Sequence, residues 1–445
     1  MCVLRNFKRN ILFFGKQYLV LKKPIIPIMK ICTTGLVFFS VLSILVSSSS
    51  AQSFLHEFLN SVTPLSPQAA SIQKFGNLSS NLSVGVPSIN VPIFKYSNKD
   101  LEMDINLNYF AGGVRVDEIA SSIGIGWSLE AGGVISRNVR GTYDELVLNG
   151  FLNSAPLPSS EILGNRPESE YDRPFNKMYQ NRLDSQNDVF SYSFGGSSGT
   201  FYLGKNNDFI IAPQRKIKIE KTVANIEGRQ LISKFEITDE IGRKFVFEAF
   251  EVSTVFSGAE NNTYTSSWYL TQIISPNLID KILISYTDVT LNRYNSYRSV
   301  SERRLVNTGG GLVTSSQLVD QSIKAKRISQ ITFPNKVKIN FIYNTTNRTD
   351  LPGDKSLVKI SISDDYIGEK GFILAQDNSL NRLTLKSVLA YVKNSTVTER
   401  PYEFTYHSAL PARLSFQQDH WGYYNSNSTS NLIPAETFNG SIGGL

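Results

Sequence analysis

The chain has 445 residues, 19% charged and 41% hydrophobic, with two cysteines and a formal net charge of +7. That excess sits entirely at the start: residues 1–51 hold Arg5, Lys8, Arg9, Lys16, Lys22, Lys23 and Lys30 and no acidic residue, and taking those seven from the 45 leaves 38 basic against 38 acidic. A body of zero net charge excludes a general electrostatic pull on nucleic acid, and with Cys2 and Cys32 both in the leading segment it excludes disulfides and thiolate metal sites.

In chain order, residues 1–51 read as a targeting segment. A basic stretch precedes an apolar run of about 15 residues from Cys32 to Val46, and then come serines and Ala51. A membrane span needs about 20 apolar residues. The pattern predicts export with cleavage between Ala51 and Gln52, the membrane serving only for export. Met29 is a second candidate start.

Residues 52–149 form an N-terminal β region. Residues 101–109 alternate strictly, placing Leu101, Met103, Ile105, Leu107 and Tyr109 on one face, as a strand with one dry face requires. Then comes the densest motif, Val116-Asp-Glu-Ile-Ala-Ser-Ser-Ile-Gly-Ile-Gly-Trp-Ser-Leu-Glu-Ala-Gly-Gly-Val-Ile-Ser-Arg137. Its Gly124, Gly126, Gly132 and Gly133 lack the spacing and the lysine of a phosphate cradle. They predict tight turns around a buried Trp127, with Arg137 or Arg140 pairing Asp117 or Glu118. Asp117 and Glu118 are a carboxylate pair such as glycoside hydrolysis uses, but strand neighbours point to opposite faces and cannot flank one bond.

Residues 150–186 lack periodicity and predict a long connector, with a weak helical pattern at 170–182. Residues 187–400 read as β-hairpins, strands being predicted at 190–194, 216–221, 244–250, 281–286, 337–343 and 358–362. A repeat is visible: Thr271-Gln-Ile-Ile-Ser-Pro-Asn277 and Ser329-Gln-Ile-Thr-Phe-Pro-Asn335 each precede an alternating strand, at an offset that slips by one at Lys281/Lys338. Such hairpins bury a face only by stacking. Residues 299–325, around Gly309-Gly-Gly311, predict a mobile loop.

Residues 401–445 carry a further strand pattern at 402–406, His407, and Asp419-His420-Trp421-Gly-Tyr-Tyr424. His407, Asp419 and His420 could in principle supply three zinc ligands; packing and hydrogen bonding around Trp421 is the plainer expectation. The fold class is thus all-β: antiparallel sheets of stacked β-hairpins, elongated or sandwich-like, with long loops at about 150–186 and 299–325. No catalytic residue and no cofactor are predicted.

Three stretches give the chain a resemblance to the amino-terminal region of secreted bacterial Rhs/YD-repeat proteins, a region also similar to the shell-forming B component of insecticidal toxin complexes. They are the block from Val116 to Arg137; Pro67-Gln-Ala-Ala-Ser-Ile-Gln-Lys-Phe-Gly76 with Pro87-Ser-Ile-Asn-Val-Pro92; and Asp419 to Tyr424 leading to Leu432-Ile-Pro434. The resemblance spans roughly residues 64–434. It implies a non-enzymatic structural or assembly module of the cell surface or exterior, 401–445 being its pre-repeat segment. Its partner would be YD-repeat sequence, downstream or separately encoded, or another copy joined through an exposed sheet edge. No YD repeat follows before Leu445, so a truncated or split member is expected. The competing readings are a surface module binding glycan or protein, favoured if Trp268, Trp421, Tyr423 and Tyr424 form one exposed patch, and, third, a secreted hydrolase.

Overall fold

A computed structural model describes residues 66–76, 88–147, 150–153, 184–204, 206, 208–257, 260–304, 312–364, 368–378, 381–395, 399–407, 409–419, 421–427 and 432. The segment predicted to be a targeting signal, the helical pattern expected at 170–182, most of the predicted connector and His420 lie outside them. All belong to one unit, Asn60–Leu445.

The one helix among them, α1 (Pro67–Gly76), begins where its chemistry dictates: Pro67 stands at the first position, where no amide is needed, and the Ser66 hydroxyl accepts from the Ala69 amide at 3.3 Å. Everything else regular is strand. β1 (Ser88–Ser97), β2 (Glu102–Phe110) and β3 (Trp127–Glu130) form an antiparallel three-stranded sheet. Leu101, Met103, Ile105 and Leu107 are buried and Tyr109 half-buried, on the face their alternation predicts.

The second sheet holds the other fifteen strands among the described residues. It opens with β4 (Gly133–Asn138), β5 (Val189–Phe194), β6 (Ser197–Leu203) and β7 (Phe209–Ala212). Next come β8 (Lys218–Ile226), β9 (Arg229–Thr238), β10 (Lys244–Ser257), β11 (Glu260–Ile274), β12 (Lys281–Arg304), β13 (Leu312–Thr332) and β14 (Lys338–Tyr343). β15 (Leu357–Asp364), β16 (Gly368–Asp377), β17 (Thr384–Val392) and β18 (Tyr402–Glu403) complete it. Every pairing is antiparallel, and β10, β11, β12 and β13 pair in succession, with β13 returning to β10 to close a ring. The small sheet lies on this large one, Tyr96 stacking on Phe333 at 4.7 Å in a shared core. The layering is sandwich-like.

The two repeat units are adjacent hairpins. In the first, the Ser275 amide donates to Asp280 O and the Leu278 amide to Ser275 O; in the second, Phe333 donates to Val337 O and Lys336 to Phe333 O. Leu278 (φ 64°) and Lys336 (φ 68°) occupy the same left-handed position. The first turn holds one residue more, which accounts for the slip in the sequence offset. β12 pairs with β13, so one unit stacks on the other.

Residues 299–325 are not a loop. β12 and β13 pair from Leu283↔Thr332 out to Arg304↔Leu312, leaving only 305–311 outside the description. Outer parts of this ribbon are polar on both strands, so no apolar period marks them, yet cross-strand hydrogen bonds and pairs such as Arg293–Asp320 at 2.6 Å suffice to form it. The strand pattern at 402–406 is also shortened, because Phe404 and Tyr406 turn inward onto Trp127.

Candidate functional site

The glycine block begins with Val114–Glu118 chemistry at the surface and ends in the core. Asp117 pairs with Arg115 at 3.2 Å and both lie in a turn, so the carboxylates Asp117 and Glu118 are turn residues and not strand neighbours. Residues 121–126 then cross the large sheet. The Leu357 amide donates to Ser122 O at 2.8 Å, Gln376 Nε2 to Ser122 O and Ile123 O, and the Ile125 amide to Leu383 O at 2.8 Å. Gly124 (φ 153°) is required by this crossing, since a Cβ there would come within 2.8 Å of the Leu385 backbone nitrogen. Trp127 is buried as the glycines predict: Phe404 lies edge-on at 4.6 Å, and Nε1 donates to Tyr406 Oη at 2.9 Å. Burial pushes the Tyr406 hydroxyl up to about 12.

The second motif, around Asp419, folds back on the first. The Val116 amide donates to Gly422 O at 2.9 Å and Tyr424 to Val114 O at 3.1 Å, with Arg115 opposite Tyr423. Arg382 holds the junction from within, its guanidinium donating to the carbonyls of Val116, Glu118 and Pro411. Burial, then the neighbouring Arg413, pushes that guanidinium down to about 10. The structure therefore brings together two blocks about 300 residues apart in sequence.

The Asp419 carboxylate is a turn cap. It accepts the amides of Trp421 and Tyr423, both at 2.9 Å, while the Asp419 amide donates to Tyr423 O and the Gly422 amide to Asp419 O, with Gly422 at φ 86°. The turn at Asp239 is built the same way: Asp239 accepts from Ile241 and Arg243, and Gly242 (φ 86°) donates to Asp239 O. Asp-x-x-Gly-x is thus this chain's recurrent hairpin turn. Trp421 is 72% exposed, which corrects the expectation of a packed Trp421: it rides at the turn's tip, as Ile241 (59%) does at its counterpart. His407 is exposed, and among the described residues no three His, Cys, Asp or Glu side chains converge as a metal site. The aromatic patch does not form either, since Trp268 is fully buried and Tyr423 and Tyr424 are half-buried.

Arg137 pairs with neither Asp117 nor Glu118. It is fully buried, with Nη1 donating to Glu145 at 2.9 Å and Nη2 lying 2.6 Å from Asp188, and Arg140 contributes its backbone amide to Asp188 at 2.8 Å. The Asp117 turn lies at the surface, whereas β4 carries Arg137 inward beside β5, which Asp188 immediately precedes. Burial opposes its charge, but the Glu145 and Asp188 carboxylates hold the guanidinium above its ordinary range. Burial, then the Asp188 charge, pushes Asp144 up to about 8.

A second buried network escaped the sequence reading. Arg327 donates to Asp354 Oδ1 at 2.9 Å and Arg348 to Asp354 Oδ2 at 2.7 Å. Arg348 also meets Asp350 at 2.7 Å and donates to Ser121 O at 3.0 Å, and Asp350 accepts the Leu383 amide at 3.0 Å. Nearby, Glu251 is wholly buried and accepts the Lys326 amide at 3.1 Å. A signal was present: Val319, Gln321, Ile323, Ala325 and Arg327 share the inward phase of β13. An arginine in that phase needs a buried partner.

No family profile matches the chain. No curated protein matches it. Among solved structures, it is similar to a crystal structure of TcdB2-TccC3 at a TM-score of 0.37 and 11% identity, covering 78% of this chain and 16% of that one. A mutant Tc holotoxin pore of Photorhabdus luminescens gives 0.36 and 11%, with the same coverage. The chain spans 16% of the length of these proteins, and a likeness of this size concerns chain path alone.

Proposed function

We propose that the chain is a non-catalytic structural and assembly module of the cell surface or exterior, the amino-terminal part of an Rhs/YD-repeat-like scaffold. The observation that carries this reading is the junction of the Val116 and Asp419 blocks. The two most distinctive motifs, whose residues resemble that family's, join the β2–β3 connection of the small sheet to the segment that follows β18 of the large one. Asp419, Arg137, Asp354 and Arg348 are each committed to such bracing. Assembly has a place to occur at the β18 side. β17 meets β18 only at Ser387 and Val388, and among the described residues no strand covers 389–392 beyond it. An uncovered edge of this kind accepts a strand from another chain.

Light scattering coupled to size-exclusion chromatography on residues 52–445 tests the reading. Self-association, or a complex with a co-expressed YD-repeat protein, is expected, and both should be lost when Ala390→Pro removes an amide on the open side of β17. A strict monomer that ignores such a partner would refute it.

A further inference from the structure

We infer that the cleft between the small sheet and the large one is a saccharide-binding site, a reading independent of the assembly role. Its volume is about 610 Å³, inside the range of roughly 300–1,000 Å³ that ligand pockets occupy. One wall is the outer face of β1, β2 and β3, carrying Asn90, Asn108 and Glu130; α1 contributes Gln68, and Arg215 stands across from them.

The first wall is built before any ligand arrives. Asn106 and Asn108 each donate a side-chain amide to Glu130 Oε2 at 3.1 Å, and Asn90 donates to Asn108 Oδ1 at 2.6 Å. One carboxylate oxygen is thereby fixed and the other is left to accept. Gln68 is only 7% exposed, yet its Oε1 has no hydrogen-bond partner, a costly state for a buried acceptor. That oxygen has no accessible surface, so Gln68 borders the cleft through the rest of its side chain and offers it no acceptor. On the far side Arg215 is exposed and makes no ion pair among the described residues. Phe194 and Tyr286 give the lining apolar surface, and Gly195 and Gly196 let a ligand approach the backbone.

This combination selects among ligands. An anion would suit Arg215 but meet the open oxygen of Glu130, and an ammonium would suit Glu130 but meet Arg215. A neutral ring bearing several hydroxyls satisfies both: one hydroxyl donates to the open oxygen of Glu130 and others accept from Arg215. A sugar ring has that pattern.

Isothermal titration calorimetry of the full exported chain with maltose, cellobiose and N,N′-diacetylchitobiose tests this, with putrescine and inorganic phosphate as cationic and anionic probes. At least one disaccharide should bind saturably. Glu130→Gln and Arg215→Met should each weaken it about tenfold, the loss of one charge-assisted hydrogen bond, without moving the thermal midpoint. Asn106→Ala, which loosens Glu130 from beside the cleft, should weaken it less. Absence of binding by all three sugars, wild-type affinity in both Glu130→Gln and Arg215→Met, or tighter binding of putrescine or phosphate than of every sugar would overturn the inference. The oligomeric state of the same samples keeps this outcome separate from that of the assembly reading.

Discussion

The two buried ionic networks use the same side chains in opposite proportions. Around Arg137 a single guanidinium faces Asp144, Glu145 and Asp188, with Asp184 behind them. Around Asp354 two guanidiniums, Arg327 and Arg348, share two aspartates. In the first, burial lifts Asp144 and Asp188, because one cation cannot balance three neighbours; in the second, the Arg348 pairing outweighs burial and holds Asp350 below its ordinary value. Burial pushes each of these carboxylates up, and the guanidiniums in contact decide whether that rise is overcome.

The largest effect should come from the balanced network. Asp354→Asn removes the carboxylate that serves both arginines and leaves two buried guanidiniums short of charge. A loss of about 3–5 kcal/mol is expected, measured as a fall in thermal midpoint. A loss below about 1 kcal/mol would mean that Asp350 alone can neutralise both cations, and the contrast between the networks would collapse.

The acid-rich network should respond to pH. Asp144 has its folded pKa raised from 3.8 to about 8, so the native state holds a proton that the unfolded chain releases over that interval. Stability contributed by the group therefore falls as pH rises from about 4 to about 8, by a few kcal/mol at most. Denaturant titrations at pH 5 and pH 9 can follow it through Trp268, which lies 5.9 Å from Phe190 on β5. Asp144→Asn should flatten the slope and be neutral or stabilising at pH 9. An unchanged slope would place the titration elsewhere.

Much of this was readable from local pattern and much was not, for definite reasons. Leu101 to Tyr109 showed its buried face because β alternation is local, and the Pro276 and Pro334 turns because their chemistry lies within a few residues. Arg137 was expected to pair Asp117 or Glu118, but its partner Asp188 is 51 residues away and joins it only because β4 pairs with β5. The outer ribbon of β12 and β13 hid for the converse reason: its sequence is mostly polar at successive positions, so it lacks the apolar period on which strands are recognised. Trp421 misled because a large aromatic residue usually marks a core, whereas here it stands at the tip of an Asp-x-x-Gly turn.

A smaller effect of opposite sign belongs to Asp350. Its depressed pKa contributes stability above the unfolded value near 4, and that stability is lost as pH falls through the folded value. Asp350→Asn should cost about 1–2 kcal/mol at neutral pH, since Arg348 keeps Asp354 and Ser121 O. The difference between variant and parent should shrink as pH falls below about 4, and a difference that does not change with pH would point to geometry instead of charge.

The smallest effect tests the rim of the acid-rich network. Asp184 stands at the edge of this network: Oδ1 accepts the Gln186 amide at 3.1 Å and Oδ2 faces the Thr142 hydroxyl at 3.4 Å. Burial is the first cause that pushes it up to about 6, and the Asp188 charge adds to it. Its stability contribution thus declines between about pH 4 and pH 6 and is constant above, because by then the carboxylate is charged in both states. Asp184→Asn keeps an acceptor for Gln186 and removes one negative charge from a region that has too many. At pH 5 variant and parent should differ by less than about 0.5 kcal/mol, and at pH 8 the variant should be the more stable by up to about 1 kcal/mol. A clear destabilisation at pH 8 would show that the Asp184 charge is needed where it stands, and the surplus inferred around Arg137 would then have an unseen counter-charge.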